Sequence, residues 1–403
     1  MPERPSIVAE IFKLALAAVY GVVLLAAGPP SVWLVLFAHT AVGRGVGVMG
    51  LLLIAVAADL FVWFRRPARK GLWGWSTVLL IVGLLGVGYW IVREAPSGRA
   101  PAGSPVRHRF ATGRAFEPYA PANVVPEVEQ IHLALSVAPL LDPILTRAQA
   151  GRVREVALPL YDAMAADPNF RALGSAVGGA YAEALGRPFD NGHYYLYAPH
   201  GRAAGPRAAV LFLHGSGGNL KAYTWVWSKL AERLGCVVVA PSYGLGNWGR
   251  RGAVATAMRA LDDAGRAAGI DPDRVVLAGV SSGGIGVCRL AEAYPRRFAG
   301  LVLVSPVLAP EIVAGERFRA AWRGRPVLIV TGGADRRVPV EAVREQAAAM
   351  ASAGLDVRTV IHPKADHFLF FTQRRPVLDA VASWWAGAGR AGTKPATARG
   401  AGA

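Results

Sequence analysis

The chain is poor in cysteine and in negative charge. Two cysteines stand among 403 residues, Cys236 and Cys288, and both lie in apolar runs that read as buried strand and helix. They are expected as small core side chains. They exclude a disulfide framework and a thiolate metal cluster, and no CxxC pair or His/Cys group at ligand spacing takes their place. A Gly-rich loop ending in Gly-Lys-Ser/Thr, which would cradle nucleotide phosphates, is missing too. Metal and nucleotide chemistry are therefore not expected. Asp and Glu total 27 against 44 Lys and Arg, a formal net charge of +17. Such an excess can serve nucleic acid or an anionic membrane. Here the arginines are spread along the whole chain, and no aromatic-interleaved basic platform is present on which bases would stack. Nucleic acid is not expected as a partner. Basic residues that follow long apolar segments suit anionic lipid headgroups.

Those segments come first. Apolar stretches at 7–27, 46–64 and 72–92 are each close to the roughly 20 residues that cross a bilayer core. A fourth, 32–42, is too short to span alone and follows Pro29-Pro30; it reads as a re-entrant or interfacial piece, or as an extension of a neighbouring span. The first residues carry little charge and further spans follow, so a retained anchor is expected rather than a cleaved signal peptide. Asp59, near the end of the second span, is expected to reach the interface or face another helix. The densest basic cluster is RRPARK at 65–70. With that loop in the cytoplasm, the remainder of a multi-pass membrane protein lies outside it, although Arg93, Arg99, Arg107 and Arg109 nearly balance the count.

The organisation expected is a transmembrane region at 1–93, a Pro/Gly/Arg-rich linker at 94–126, a helical segment at 127–192, a catalytic domain at 193–386 and a disordered tail at 387–403. In the helical segment Leu133, Leu140, Leu141 and Leu145 recur near helical spacing. It either packs on the domain that follows or continues as an arm over the membrane. From His193 onward short apolar runs alternate with amphipathic segments, the pattern of a parallel sheet with crossover helices. Strands are predicted at 194–197, 209–213, 237–240, 275–278, 301–304, 327–330 and 357–361.

Four loops at the ends of these strands carry chemistry. Gly279-Val280-Ser281-Ser282-Gly283 follows the strand RVVLA and precedes a helical stretch. A G-x-S-x-G turn in that setting holds its serine on a strained bend, and the glycines are needed because a Cβ at either flank would collide. LFLHGSGGN, Leu211 to Asn219, ends another strand with a turn that can expose backbone N–H groups to a developing oxyanion. Ser216 or Gly217 would supply one donor and Ser282 the other. TGGADRRVPV places Asp335 just past a strand, where its carboxylate can hold a histidine in one tautomer. His367, in Ala365-Asp366-His367-Phe368, follows the last strand. Asp366 adjoins His367 and points elsewhere, His362 sits closer to its strand end and reads as a surface residue, and Ser282 lacks glycines at both second positions. His39 and His132 read as interfacial or solvated histidines.

With the order Ser281, Asp335, His367 across separate loops, the chain from His193 to about Trp385 resembles the α/β-hydrolase superfamily, nearest to small esterases, dienelactone-hydrolase-like proteins and serine peptidases of the prolyl-oligopeptidase type. The resemblance implies an α/β-hydrolase fold with an eight-stranded, mostly parallel sheet, preceded here by transmembrane helices. It implies no cofactor. It carries Ser281 onto the nucleophile, Asp335 onto the acid and His367 onto the base. A membrane-anchored serine hydrolase acting through an acyl-enzyme is thus expected, with a small-molecule or lipid-derived ester as substrate and the bilayer as partner. Peptide or amide hydrolysis is the alternative, and a non-catalytic hydrolase-like membrane module is the reading from another class. Only about twenty residues separate the strands ending at Val304 and starting at Val327. That leaves no inserted cap there, so the site is open unless the helical segment folds over it. Trp225, Trp227, Tyr243 and Trp248 fall near the oxyanion loop and read equally as a substrate pocket or as core.

Overall fold

The computed structural model describes residues 7–65, 70–117, 120–201 and 205–391. The chain divides into two compact units, Met1–Ala95 with Pro118–Ala134, and Pro96–Glu117 with Leu135–Ala403.

The first unit is built on three apolar helices, α1 (Ile7–Phe37), α2 (Ala41–Arg65) and α3 (Lys70–Glu94). Segments Ala17–Phe37, Ala41–Val62 and Trp75–Glu94 are long and apolar enough to cross a membrane. The short run at 32–42 is neither re-entrant nor separate. Its first residues extend α1 straight through Pro29 and Pro30, and its last begin α2. Apolar helices of this kind accept an interior proline. Small residues bring α1 and α2 together, for a Cβ on Gly47 would stand 2.7 Å from the Ser31 carbonyl oxygen. Asp59 is buried and faces α3, accepting hydrogen bonds from the hydroxyls of Ser76 (3.1 Å) and Thr77. The turn between α1 and α2 is closed by Glu129, whose carboxylate accepts the backbone N–H groups of His39 (3.0 Å) and Thr40 (2.6 Å). His132 sets its ring edge-on against Trp33, 4.8 Å between centroids, so it is a packed group rather than a solvated one. Residues 66–69 of the basic RRPARK loop lie outside the described residues.

The second unit is an eight-stranded sheet in the order β1-β2-β4-β3-β5-β6-β7-β8, with β1 Val106–Phe110, β2 His193–Tyr197, β3 Arg207–Leu213, β4 Val237–Pro241, β5 Ile270–Val280, β6 Gly300–Val304, β7 Pro326–Gly332 and β8 Asp356–His362. The first two pairings, β1 with β2 and β2 with β4, are antiparallel; the others are parallel. β3, β4, β6 and β7 read as unbroken apolar runs because helices cover both of their faces, and almost every residue in them is buried. The helix Ala253–Ala268 shows the matching pattern, with Ala253, Ala257, Ala260, Leu261 and Ala264 buried along one stripe and Gly269 ending it in the left-handed region.

Three expected boundaries change. The stretch 94–126 is not simply a linker, since it supplies edge strand β1, paired from Val106↔Tyr197 to Phe110↔His193. The helical segment at 127–192 is divided, with Leu135 onward belonging to the unit that holds the sheet. The last helix, Arg374–Ala391, runs past the expected boundary at 386, and residues 392–403 of the expected tail lie outside the described residues.

Candidate active site

Ser281 follows the last residue of β5 and precedes the helix Gly283–Ala293. It is one of two non-glycine residues with positive φ among the described residues, at 53°, a conformation that costs free energy and persists only where neighbours impose it. The neighbours are plain. Ser281 N–H donates to Val304 O at 3.1 Å, and Ser281 O accepts from the N–H groups of Gly284 and Val307, each at 2.9 Å. A Cβ on Gly279 would stand 2.8 Å from the Gly283 carbonyl, and one on Gly283 would stand 2.3 Å from Leu213 O. Both flanking glycines are therefore needed for the reason the sequence suggested.

His367 Nε2 lies 2.9 Å from Ser281 Oγ, and His367 Nδ1 lies 2.8 Å from Asp335 Oδ2. Asp335 Oδ1 accepts the N–H groups of Arg337 and Val338, both at 2.9 Å. Because the Asp335 carboxylate can only accept, Nδ1 carries the proton it donates to Asp335, and Nε2 presents its lone pair to the serine hydroxyl. The loops that bear Asp335 and His367 lie back to back. A Cβ on Gly332 would meet Ala365 O at 2.2 Å, and Ala334 N–H donates to Ala365 O at 3.0 Å. Asp366 turns away from the serine, its carboxylate accepting from Arg152 (2.9 Å) and from Phe368 N–H (3.1 Å). His362 is half-buried rather than a surface residue. Its imidazole pKa is held down by burial, and its carbonyl receives Gly333 N–H at 2.9 Å.

The loop at 214–218 presses on the serine from the other side, with the site of a Gly215 Cβ only 3.2 Å from Ser281 Cβ. Ser216 Oγ and Ser282 Oγ are 3.2 Å apart, so the two candidate donors stand side by side. Neither N–H is drawn into a hydrogen bond among the described residues. Gly217 does not fit the donor role offered to it, because its N–H already donates to Leu245 O at 3.0 Å.

The expected aromatic pocket is corrected more fully. Tyr243 and Trp248 are buried, and their polar atoms are used inside the protein: Trp248 Nε1–H donates to His214 O at 2.8 Å, and Tyr243 O–H donates to Arg251 O at 2.9 Å. They brace the loop at 214–218 instead of lining a pocket. Trp225 packs edge-on against Phe170, 4.7 Å between centroids, with Lys229 Nζ 3.5 Å above its ring. Trp227 is core, between Phe212 and Phe370.

Several groups that shape the site were not singled out from the sequence. His214 is fully buried, accepts Tyr243 N–H at Nε2 (3.1 Å) and places Nδ1 2.8 Å from Gly215 O, which fixes it as the neutral Nδ1–H tautomer. Desolvation lowers its pKa to about 4. Glu183, also buried, accepts from Leu245 N–H (2.6 Å), Asn247 Nδ2 (2.7 Å) and Arg250 (2.8 Å), tying the loop that holds Gly217. Tyr223 stands among Phe212, Phe370 and Phe371, its hydroxyl 3.5 Å from the site of a Gly215 Cβ, and burial pushes its phenol pKa up. Only the position of Tyr223 at the start of the helix after HGSGGN was available as a signal. Asp142, from the stretch between β1 and β2, forms an ion pair with Arg337, two residues from Asp335.

The model of the family described as serine aminopeptidase, S33, matches residues 204–325. The solved structures it is similar to include a thermostable esterase (20% identity, 48% of this chain and 58% of that one, TM-score 0.40). Also similar is esterase 2 of Thermogutta terrifontis, in its apo form (23% identity, 49% and 90%, TM-score 0.40) and with butyrate bound (22% identity, 49% and 89%, TM-score 0.40). The chain thus spans 58% of the first of these proteins. No curated protein sequence matches it. The sheet order, the strained serine between β5 and its helix, and the matched segment define an α/β-hydrolase fold.

Proposed function

We propose that this protein is a membrane-anchored serine hydrolase that cleaves carboxylic esters through an acyl-enzyme. The observation that carries the reading is the unbroken chain from Ser281 Oγ to His367 (2.9 Å) and from His367 to Asp335 (2.8 Å). Ser281 Oγ attacks the ester carbonyl while its proton passes to His367 Nε2, and Asp335 stabilises the imidazolium that forms. The N–H groups of Ser216 and Ser282 receive the oxyanion. His367 then gives its proton to the leaving alkoxide, and water repeats the sequence to release the acid.

Ester rather than aminopeptide cleavage is favoured by the acidic groups around the site. A free α-ammonium needs an uncommitted carboxylate, and Asp142, Glu183 and Asp366 are already engaged by Arg337, Arg250 and Arg152. The family's description as serine aminopeptidase supports the second reading, peptide or amide hydrolysis. A panel of p-nitrophenyl esters of graded chain length against aminoacyl anilides separates the two. Faster turnover of the esters is expected; a preference for the anilides would replace the ester reading. The three N-terminal helices are the proposed anchor, with the catalytic unit outside the cytoplasm. Protease added to intact cells should then cut the C-terminal unit, and an uncut unit reverses the orientation.

A further inference from the structure

The leucines at 133, 140, 141 and 145 recur near helical spacing, a pattern that fits either packing on the domain that follows or an arm over the membrane. Leu145 is buried, but Leu140 and Leu141 are 69% and 80% exposed. Among the described residues of the larger unit, seven large apolar side chains are exposed, and four fall within eight positions: Val137, Leu140, Leu141 and Ile144. Isolated exposed apolar side chains are ordinary on a water-facing surface, whereas a cluster marks contact with something apolar. The cluster is firmly held. Asp142 accepts the N–H groups of Ile144 (2.9 Å) and Leu145 (3.4 Å), and its ion pair with Arg337 fastens the turn two residues from Asp335. That pairing also neutralises the one acidic group in the cluster, while Arg147 and Arg152 are exposed just beyond it.

We propose that residues 137–144 rest in the headgroup–acyl boundary of a phospholipid bilayer, the membrane that this chain's own helices would cross. The inference rests on the membrane anchor proposed above. Four side chains are too few for the roughly 800 Å² per partner that a stable dimer buries. They suffice for a surface already tethered at the bilayer, where a small apolar set flanked by arginines adds to the hold on anionic lipid.

The test uses the full chain in vesicles of phosphatidylcholine and phosphatidylglycerol, labelled with an environment-sensitive fluorophore at one introduced cysteine. Cys236 and Cys288 are buried and do not compete. The positions are Leu141→Cys, Leu85→Cys on exposed α3 surface, and Asp273→Cys, exposed near the start of β5 and at the opposite end of that strand from Ser281. Brominated lipids should quench the probe at 141 and at 85 at least twofold more than at 273. Quenching at 85 with none at 141 overturns this proposal alone. No quenching at 85 overturns the anchor and the proposal together. Self-quenching at 141 that disappears on dilution with unlabelled protein assigns the surface to a second copy and also overturns it.

Discussion

On one side of Ser281 the backbone is held by buried groups: the neutral His214 between Tyr243 N–H and Gly215 O, Trp248 under the His214 carbonyl, and the Glu183 carboxylate beneath the loop at 245–250. On the acid–base side the inner bonds of Asp335 and His367 are backed by half-exposed ion pairs, Arg337 with Asp142 and Arg152 with Asp366. Buried hydrogen bonds are costly to leave half made, while exposed pairs contribute little and fade with salt. The two sides should therefore fail differently. The His214 side should be sensitive to truncation and to acid. The acid–base side should depend on its innermost contacts and tolerate loss of its outer ones.

The largest effect is expected within the acid–base side itself. Asp335→Asn should lower kcat by about 10³–10⁴-fold with the fold retained, because the amide no longer holds the imidazole in the tautomer that serves Ser281. Steady-state kinetics with circular dichroism checks this; a near-normal rate would move the acid role to another carboxylate. Next comes the His214 side. His214→Ala strands Tyr243 N–H and frees Gly215, so kcat should fall by roughly 10² or somewhat less, the range associated with a displaced oxyanion donor, and the melting temperature should drop. An unchanged melting temperature would show that the buried bracing is not what holds this side.

Acid sharpens the same contrast. His214 is depressed to about 4 in the folded protein against about 6.5 for a free histidine. The unfolded chain therefore binds a proton first as pH falls, so this stabilisation is complete above about 6.5 and is lost between there and about 4, on the order of 3 kcal/mol. His193, depressed to about 3, adds in the same direction. Thermal melts from pH 7 to 4 should show the decline, and His214→Gln should flatten part of it. The smallest effect is expected for Arg152→Gln, a change in kcat of about twofold or less that vanishes in high salt. A larger, salt-independent loss would mean that the outer ion pair positions His367.

Much of this was legible beforehand. The strands at 209–213, 237–240, 275–278, 301–304 and 327–330 announced themselves because they are buried on both faces and so carry continuous apolar runs rich in Val, Leu, Ile and Ala. β1 did not, since Val106-Arg107-His108-Arg109-Phe110 is an edge strand whose place is supplied by β2 and by the bond from Arg109 to Tyr194 and Asp263. Ser281, Asp335 and His367 could be placed because each directly follows or lies close behind a strand end. The choice between Ser216 and Gly217 could not, because it depends on Leu245, whose carbonyl comes from a loop almost thirty residues away. Tyr243 and Trp248 misled for a related reason. Aromatic side chains near a reacting group suit a pocket or its scaffold alike, and only burial separates the two. The prolines at 29 and 30 suggested a break that an apolar helix can absorb.

The central claim is that Ser281, activated by His367, is the nucleophile. Purified protein treated with a fluorophosphonate probe tests it most directly. The wild-type chain and Ser282→Ala should label, and Ser281→Ala should not; labelling that survives Ser281→Ala, or a wild-type chain that never labels, would contradict the account.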